Sequence, residues 1–296
     1  MVNVCVGLWG AQELVGGDFA SVIDMVRLAD EKGIDQVDTP DHVLMCKPEQ
    51  YVYGKFAVPV DYPWYDPMVA LGAIAAATKR VRLTNGIMVA ALRPAPVLAK
   101  QITTVDVISR GRIDVGIGAG WMPEEFAACG IAWPNRFEYL FELVRAMRAL
   151  WEGSPATFHG ERIHFDAVWQ HPLPVQKRIP VNYGLGVPSA RNFAGIAETG
   201  DGWYPMEENP EFLGPQIVQL KHAFEARGRD PAAINIRVMN RPFYKSDGSM
   251  DLDDALRKAP ALIAAGVTTI CYPARVYCKT IEDFEPFLDR ILRVKG

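Results

Sequence analysis

Five cysteines in 296 residues, an odd number with no Cys-x-x-Cys pair, supply neither a disulfide framework nor a zinc-ligand spacing. Cys5 and Cys271 fall in apolar runs, where a reduced thiol acts as a small buried hydrophobe, and no metal is expected. Long hydrophobic runs are missing as well. The first apolar stretch, residues 2–7, has no basic lead-in and is too short for a signal peptide or a span, which predicts a cytoplasmic protein with no membrane partner. Charge of one sign is scarce: a formal net charge of −4, with acidic and basic residues interspersed, builds no cationic face for nucleic acid. The expected partner is a small-molecule substrate. No HExxH, GxSxG or Walker loop occurs, so metallohydrolase, serine hydrolase and NTPase chemistry lack their residues. His159, His164, His171 and His222 are scattered and read as surface or structural histidines.

What the chain does have is apolar residues, 49% of the total, arranged in short runs separated by longer amphipathic segments. That alternation predicts a parallel sheet covered by helices. Strands are expected at 3–8, 34–39, 81–87, 113–118, 180–185, 201–206, 234–239 and 267–272. Helices are expected at 19–32, 66–77, 95–109, 136–151, 189–199, 210–227, 252–265 and 281–293, with Asp18, Asp66, Asn135, Ser189 and Asn209 at or near their starts. Eight strand-then-helix units fit an α/β fold of the (β/α)8 TIM-barrel type, as one domain over residues 1–296, better than a Rossmann sheet. The stretch 152–179 alternates around His159-Gly160 and predicts a small hairpin inserted beside the barrel. Residues 43–63, rich in Tyr, Phe, Val and Pro, follow the second strand and form the candidate substrate lid.

In such a barrel the chemistry sits just after each strand. After the second come Asp41 and His42, an acid and a switchable base that suit proton handling or the edge of a heterocycle. The alternative is a turn in which Asp41 caps backbone amides. After the third comes Gly86-Ile87-Met88, where a missing side chain admits a planar ligand or marks a simple bulge. Gly116-Ile117-Gly118-Ala119-Gly120-Trp121 follows the fourth; no helix opens directly from these glycines, so they read as bare backbone lining a pocket with Trp121 as its wall. After the fifth, Gly184-Leu185-Gly186-Val187-Pro188-Ser189 offers free amides at a helix start, which suits a phosphate as well as an ordinary turn.

Several runs together carry a resemblance. Tyr65-Asp66-Pro67-Met68-Val69-Ala70-Leu71, Ala75-Ala76-Ala77-Thr78-Lys79-Arg80-Val81-Arg82-Leu83, Leu98-Ala99-Lys100-Gln101, Asp106 with Ser109-Arg110-Gly111-Arg112, and Gly116–Trp121 with Glu124-Glu125-Phe126 are similar to the luciferase-like flavin and F420 oxidoreductases. The match is dense over 36–206. The Trp-x-x-Glu-Glu-Phe arrangement resembles the F420-using branch of the luciferase-like monooxygenase superfamily. The resemblance implies coenzyme F420 bound at the strand C-termini, with Asp41 and His42 at the ring edge or handling a substrate proton. It also implies a cis peptide at Gly86-Ile87 behind the ring, cofactor contacts from Val89, Ala119 and Gly120, and a phosphate on Gly184, Leu185, Gly186 and Ser189. Trp121 stands where F420-dependent glucose-6-phosphate dehydrogenases carry a catalytic glutamate, so a sugar phosphate is not the expected substrate. Hydride transfer to or from an apolar or aromatic compound, with His42, Asp41 and Trp121 as the catalytic set, is the leading expectation. The alternatives are an FMN-dependent two-component monooxygenase and a non-catalytic flavin- or F420-binding protein, and a homodimer is compatible with each.

Overall fold

Eight strand-and-helix units wrap into a nearly closed parallel barrel in the computed structural model, which describes residues 2–51, 59–186, 188–240 and 251–296. The barrel strands are β1 (Asn3–Gly7), β2 (Gln36–Thr39), β3 (Arg82–Asn85), β4 (Met88–Val89) and β5 (Val115–Gly118), and a hairpin follows, β6 (Ala156–His159) with β7 (His164–Val168). The ring is completed by β8 (Val181–Tyr183), β9 (Gly202–Trp203), β10 (Asn235–Met239) and β11 (Thr269–Pro273). Nine strands run in the order β3-β2-β1-β11-β10-β9-β8-β5-β4, and a parallel bridge from Leu83 to Ile113 brings the two edges together. β3 and β4 are two halves of one strand position, divided at Gly86-Ile87, whose peptide is cis as expected. The expected strand at 201–206 shortens to two residues, Gly202 and Trp203.

Helices α1 (Phe19–Lys32), α2 (Pro67–Ala77), α3 (Ala95–Ser109), α4 (Pro123–Ala128), α5 (Arg136–Glu152), α6 (Ala190–Thr199), α7 (Pro210–Glu225), α8 (Leu252–Ala264), α9 (Ala274–Tyr277) and α10 (Phe284–Leu292) lie outside the strands. Four of the five expected caps form. Asp18, Asp66, Ser189 and Asn209 each accept a backbone N–H from the first turn, satisfying donors that a helix start leaves over. Asn135 takes the N-cap position with φ of 60° and makes no side-chain cap. The hairpin of β6 and β7 stands between α5 and β8, where the insertion was expected. Among the described residues no helix is long and apolar enough to cross a membrane.

The strands are buried on both sides, which is why they read as near-continuous apolar runs. Among the buried polar residues on these strands is a charged cluster. Asp38 on β2 pairs with Arg237 on β10, the Cys271 thiol donates to Asp38 at 3.5 Å, and Arg237 lies 3.6 Å from the Cys5 sulfur. Cys5 and Cys271 are thus hydrogen-bonded thiols rather than plain hydrophobes. Their sulfurs and the Asp38 carboxylate approach one another within 4.8 Å, as metal ligands would, yet Arg237 already supplies the positive charge. Burial pushes the Cys271 thiol well above its ordinary pKa.

Candidate active site

Because every barrel strand is parallel, their C-terminal ends share one rim, and the segments singled out in the sequence meet there. Asp41 and His42 follow β2 side by side and are held by different partners. The Asp41 carboxylate, almost wholly buried, takes both Arg93 terminal nitrogens, at 2.6 and 3.0 Å, and the Val89 amide at 2.8 Å. Burial works against the charge on Arg93, and the Asp41 carboxylate beside it nevertheless holds its pKa above the ordinary value. Asp41 therefore fixes the backbone of Val89 at the start of the rim loop before α3. These partners lie 48 and 52 positions away, so Asp41 binds a distant amide and a guanidinium rather than capping the amides of its own turn.

His42 turns toward α4. Its Nδ1 lies 3.1 Å from the Glu125 Oε2, and the other Glu125 oxygen accepts the amides of Val43 at 2.7 Å and Leu44 at 3.3 Å. The imidazole packs edge-on against Trp64 and Trp121, with ring centroids 4.8 and 5.4 Å away. Tyr51 stands edge-on to Trp121 at 5.0 Å, and Tyr62 to Trp64 at the same distance. Lid aromatics and the Trp121 wall thus pack around His42, placing a switchable polar group in an apolar setting. Residues 52–58 of the expected lid, Phe56 among them, lie outside the described residues.

Gly118 and Gly184 leave space that Ile87 fills. A Cβ on Gly118 would stand 3.1 Å from the Ile87 Cδ1, and one on Gly184 would collide with the same atom. The split strand, two bare backbones and Ile87 thus make a packed platform at the rim. Gly120 has φ of +77°, a left-handed conformation, and a Cβ there would press to 2.7 Å from Val89, so the Ala119-Gly120 turn is confined to glycine on two counts. The loop before α6 keeps Leu185 buried, with its carbonyl accepting from the Trp203 indole at 2.8 Å. Ser189 caps α6 through the Asn192 amide at 3.1 Å, and Gly186 admits Met206, whose Cγ would be 3.0 Å from a Cβ. Val187 lies outside the described residues.

Lys177 and Arg178 precede β8, at the end of the barrel opposite the rim, and Arg178 is bound to Asp201 at 2.7 Å. Arg191, in the first turn of α6 and 77% exposed, is on the rim side and pairs with Glu138 at 2.6 Å. Sequence reasoning did not single out Glu125 or Arg93 as site residues. For Glu125 a signal existed: Pro123 followed by two acids is a helix start, and α4 is the helix that carries it.

Residues 4–278 match the luciferase-like monooxygenase family. An F420-dependent glucose-6-phosphate dehydrogenase of Gordonia bronchialis is 30% identical over 266 residues, covering 84% of this chain and 74% of that protein. Among solved structures, a monooxygenase from Streptomyces bottropensis superposes with a TM-score of 0.77 at 22% identity, covering 99% of this chain and 100% of the other. An F420-dependent secondary alcohol dehydrogenase, in complex with an F420-acetone adduct, gives 0.77 at 16% identity over 100% and 99% of the two chains. These two likenesses establish the barrel architecture. With the rim geometry and the family match in agreement, the chain belongs to the luciferase-like monooxygenase family of oxidoreductases.

Proposed function

We propose that this protein is an F420-dependent oxidoreductase that moves hydride between the deazaflavin and an apolar or aromatic organic substrate. The observation that carries the reading is the platform of Ile87 over Gly118 and Gly184, set beside His42 in its aromatic surround. A flat tricyclic ring fits a surface made of backbone and one aliphatic side chain, and Ile87 can take that place because Gly118 and Gly184 leave room for it. Ile87 and Val89 would back the ring, Ala119 and Gly120 would line it, and the amides of 184–189 with the start of α6 would receive the phosphate. When bound, F420 supplies the hydride chemistry.

The remaining work falls to the chain's own side chains. His42 is the proton donor or acceptor at the mouth, and Trp121 with Trp64 keeps water from it. Asp41 holds Val89 and Arg93 in place, so its part is to shape the ring's surroundings rather than to carry a proton. Trp121, where the glucose-6-phosphate enzymes resembled above carry a catalytic glutamate, replaces a charge with an apolar wall and supports an apolar substrate. The named activity of the Gordonia relative supports F420 as the cofactor.

Fluorescence titration of the apoprotein with F420 and with FMN tests the proposal. F420 should bind at least about tenfold tighter, a difference of about 1.4 kcal/mol. Arg191, exposed beside the phosphate loop, should contribute a small, salt-sensitive part through the anionic tail. Tighter FMN binding, together with oxygenation of a substrate by reduced FMN and O2, would replace this reading with the two-component monooxygenase.

A further inference from the structure

We infer that Glu125 is the positioning residue of this site: it fixes which nitrogen of His42 carries the hydrogen and ties that histidine to the start of the lid. The inference rests on His42 being the proton-handling group proposed above. Glu125 lies in the first turn of α4 with its side chain fully buried. Such a group needs a partner for every lone pair it turns inward, and the partners here are specific. Oε1 accepts the backbone amides of Val43 and Leu44, groups that can only donate. Oε2 faces His42 Nδ1 at 3.1 Å. A carboxylate offers acceptors alone, so Nδ1 must carry the hydrogen and the lone pair of the neutral ring is left on Nε2.

The surroundings make that assignment hard to escape. Trp64 and Trp121 stand edge-on to the imidazole, at 75° and 78°, and oppose a turn of the ring that would present a carbon to Glu125. The same helix and its N-cap residue, Met122, hold the lid at two further points. Cys46 N–H points to the Met122 sulfur at 3.0 Å, and the Gln50 amide donates to Glu124 at 2.7 Å. The histidine and the first residues of the lid are therefore mounted on α4 as one piece, with Glu125 at the joint.

Glu125→Gln gives the inference a sharp consequence. The new side chain keeps its shape but has one oxygen and one NH2 group. Its oxygen must stay on the two amides, since they have nothing to accept with, and its NH2 then faces Nδ1. A donor facing Nδ1 forces the ring to accept there, which moves the hydrogen to Nε2. The tautomer of His42 is inverted without removing a single atom of packing.

Long-range proton–nitrogen NMR spectra of the full chain, labelled at histidine nitrogen and free of cofactor, read this directly under mildly alkaline conditions. The His42 signals are identified as those missing in His42→Ala. In the unaltered protein His42 should show the hydrogen on Nδ1, and in Glu125→Gln on Nε2. Turnover in Glu125→Gln should fall about 10²-fold with KM and cofactor affinity nearly unchanged, since the acid–base group is present but wrongly protonated. An Nε2 hydrogen in the unaltered protein overturns the inference, and so does an unchanged tautomer in Glu125→Gln. Should that variant fail to fold, the unaltered protein's spectrum decides alone. Full activity in His42→Ala would defeat the proton-transfer reading while leaving the tautomer result standing, so the two failures are distinct.

Discussion

At the scale of single residues, Asp41 and His42 show how far neighbours in sequence can differ in role. Both were legible as a candidate pair, because an acid and a histidine directly after a barrel strand are at the rim whatever else they do. Their division of labour was not legible, since it depends on Arg93 and Glu125, contributed by segments 52 and 83 positions away. A buried carboxylate bound by two guanidinium nitrogens leaves a largely buried cation with only the longer contact to Asp66, at 3.3 Å, when it is removed, and that is the expensive kind of loss. Asp41→Ala should therefore lower unfolding free energy by about 3 kcal/mol, read as a shift of the urea midpoint at unchanged slope. His42→Ala should cost less, because among the described residues the contacts it removes are a hydrogen bond to Glu125, which keeps two backbone amides, and edge-on packing against Trp64 and Trp121. Equal losses in the two variants would show that Asp41 is not the anchor of Val89 and Arg93.

At the scale of elements, the long periodic helices, the buried strands and the hairpin within 152–179 are legible in the sequence, while α4 and the break in the third strand leave no trace in the apolar pattern. α4 spans six residues, too few for a hydrophobic period, and was missed although its Pro123 and acids mark a start. The break between β3 and β4 left no mark in the apolar pattern, so 81–87 read as one strand. α2 holds a different lesson. It carries no charged residue from Pro67 to Ala77; one face buries Met68, Leu71 and Ile74, while Val69, 73% exposed, Ala73 and Ala76 face outward. On the neighbouring α3, Val97, Thr104 and Ile108 are exposed too. A helix apolar all round belongs in an interior, and an uncharged face of small residues is complementary to itself. We expect a second copy to cover it, giving a twofold dimer. Light scattering should report about twice the chain mass of 32.8 kDa, and Val69→Lys with Ala73→Glu should return it to the monomer with its circular dichroism intact. A monomer in the unaltered protein would remove the dimer.

At the scale of the whole molecule, the two ends of the barrel carry different loads. The rim gathers His42, the aromatics and the glycine platform, while the opposite end gathers arginines. Asp201, just before β9, accepts from Arg148 at 2.6 Å, Arg178 at 2.7 Å, Arg229 at 2.9 Å and the Val181 amide at 2.9 Å. Arg148 and Arg229 also donate to carbonyls at the end of α6, so one carboxylate locks that helix, β8 and β9 together. Burial alone would raise the pKa of Asp201, but the surrounding guanidinium groups of Arg148 and Arg178 outweigh it and hold the value below the ordinary one. A carboxylate depressed in the folded state contributes its full stability above the unfolded value, and loses it as pH falls through that value toward the folded one. The difference in unfolding free energy between the unaltered protein and Asp201→Asn should thus be largest near neutral pH, at about 3 kcal/mol, and shrink steadily as the solution is acidified below about pH 4. Urea titrations of both proteins across that range provide the measurement. A difference that stays constant with pH would mean that Asp201 holds the far end of the barrel by shape rather than by charge.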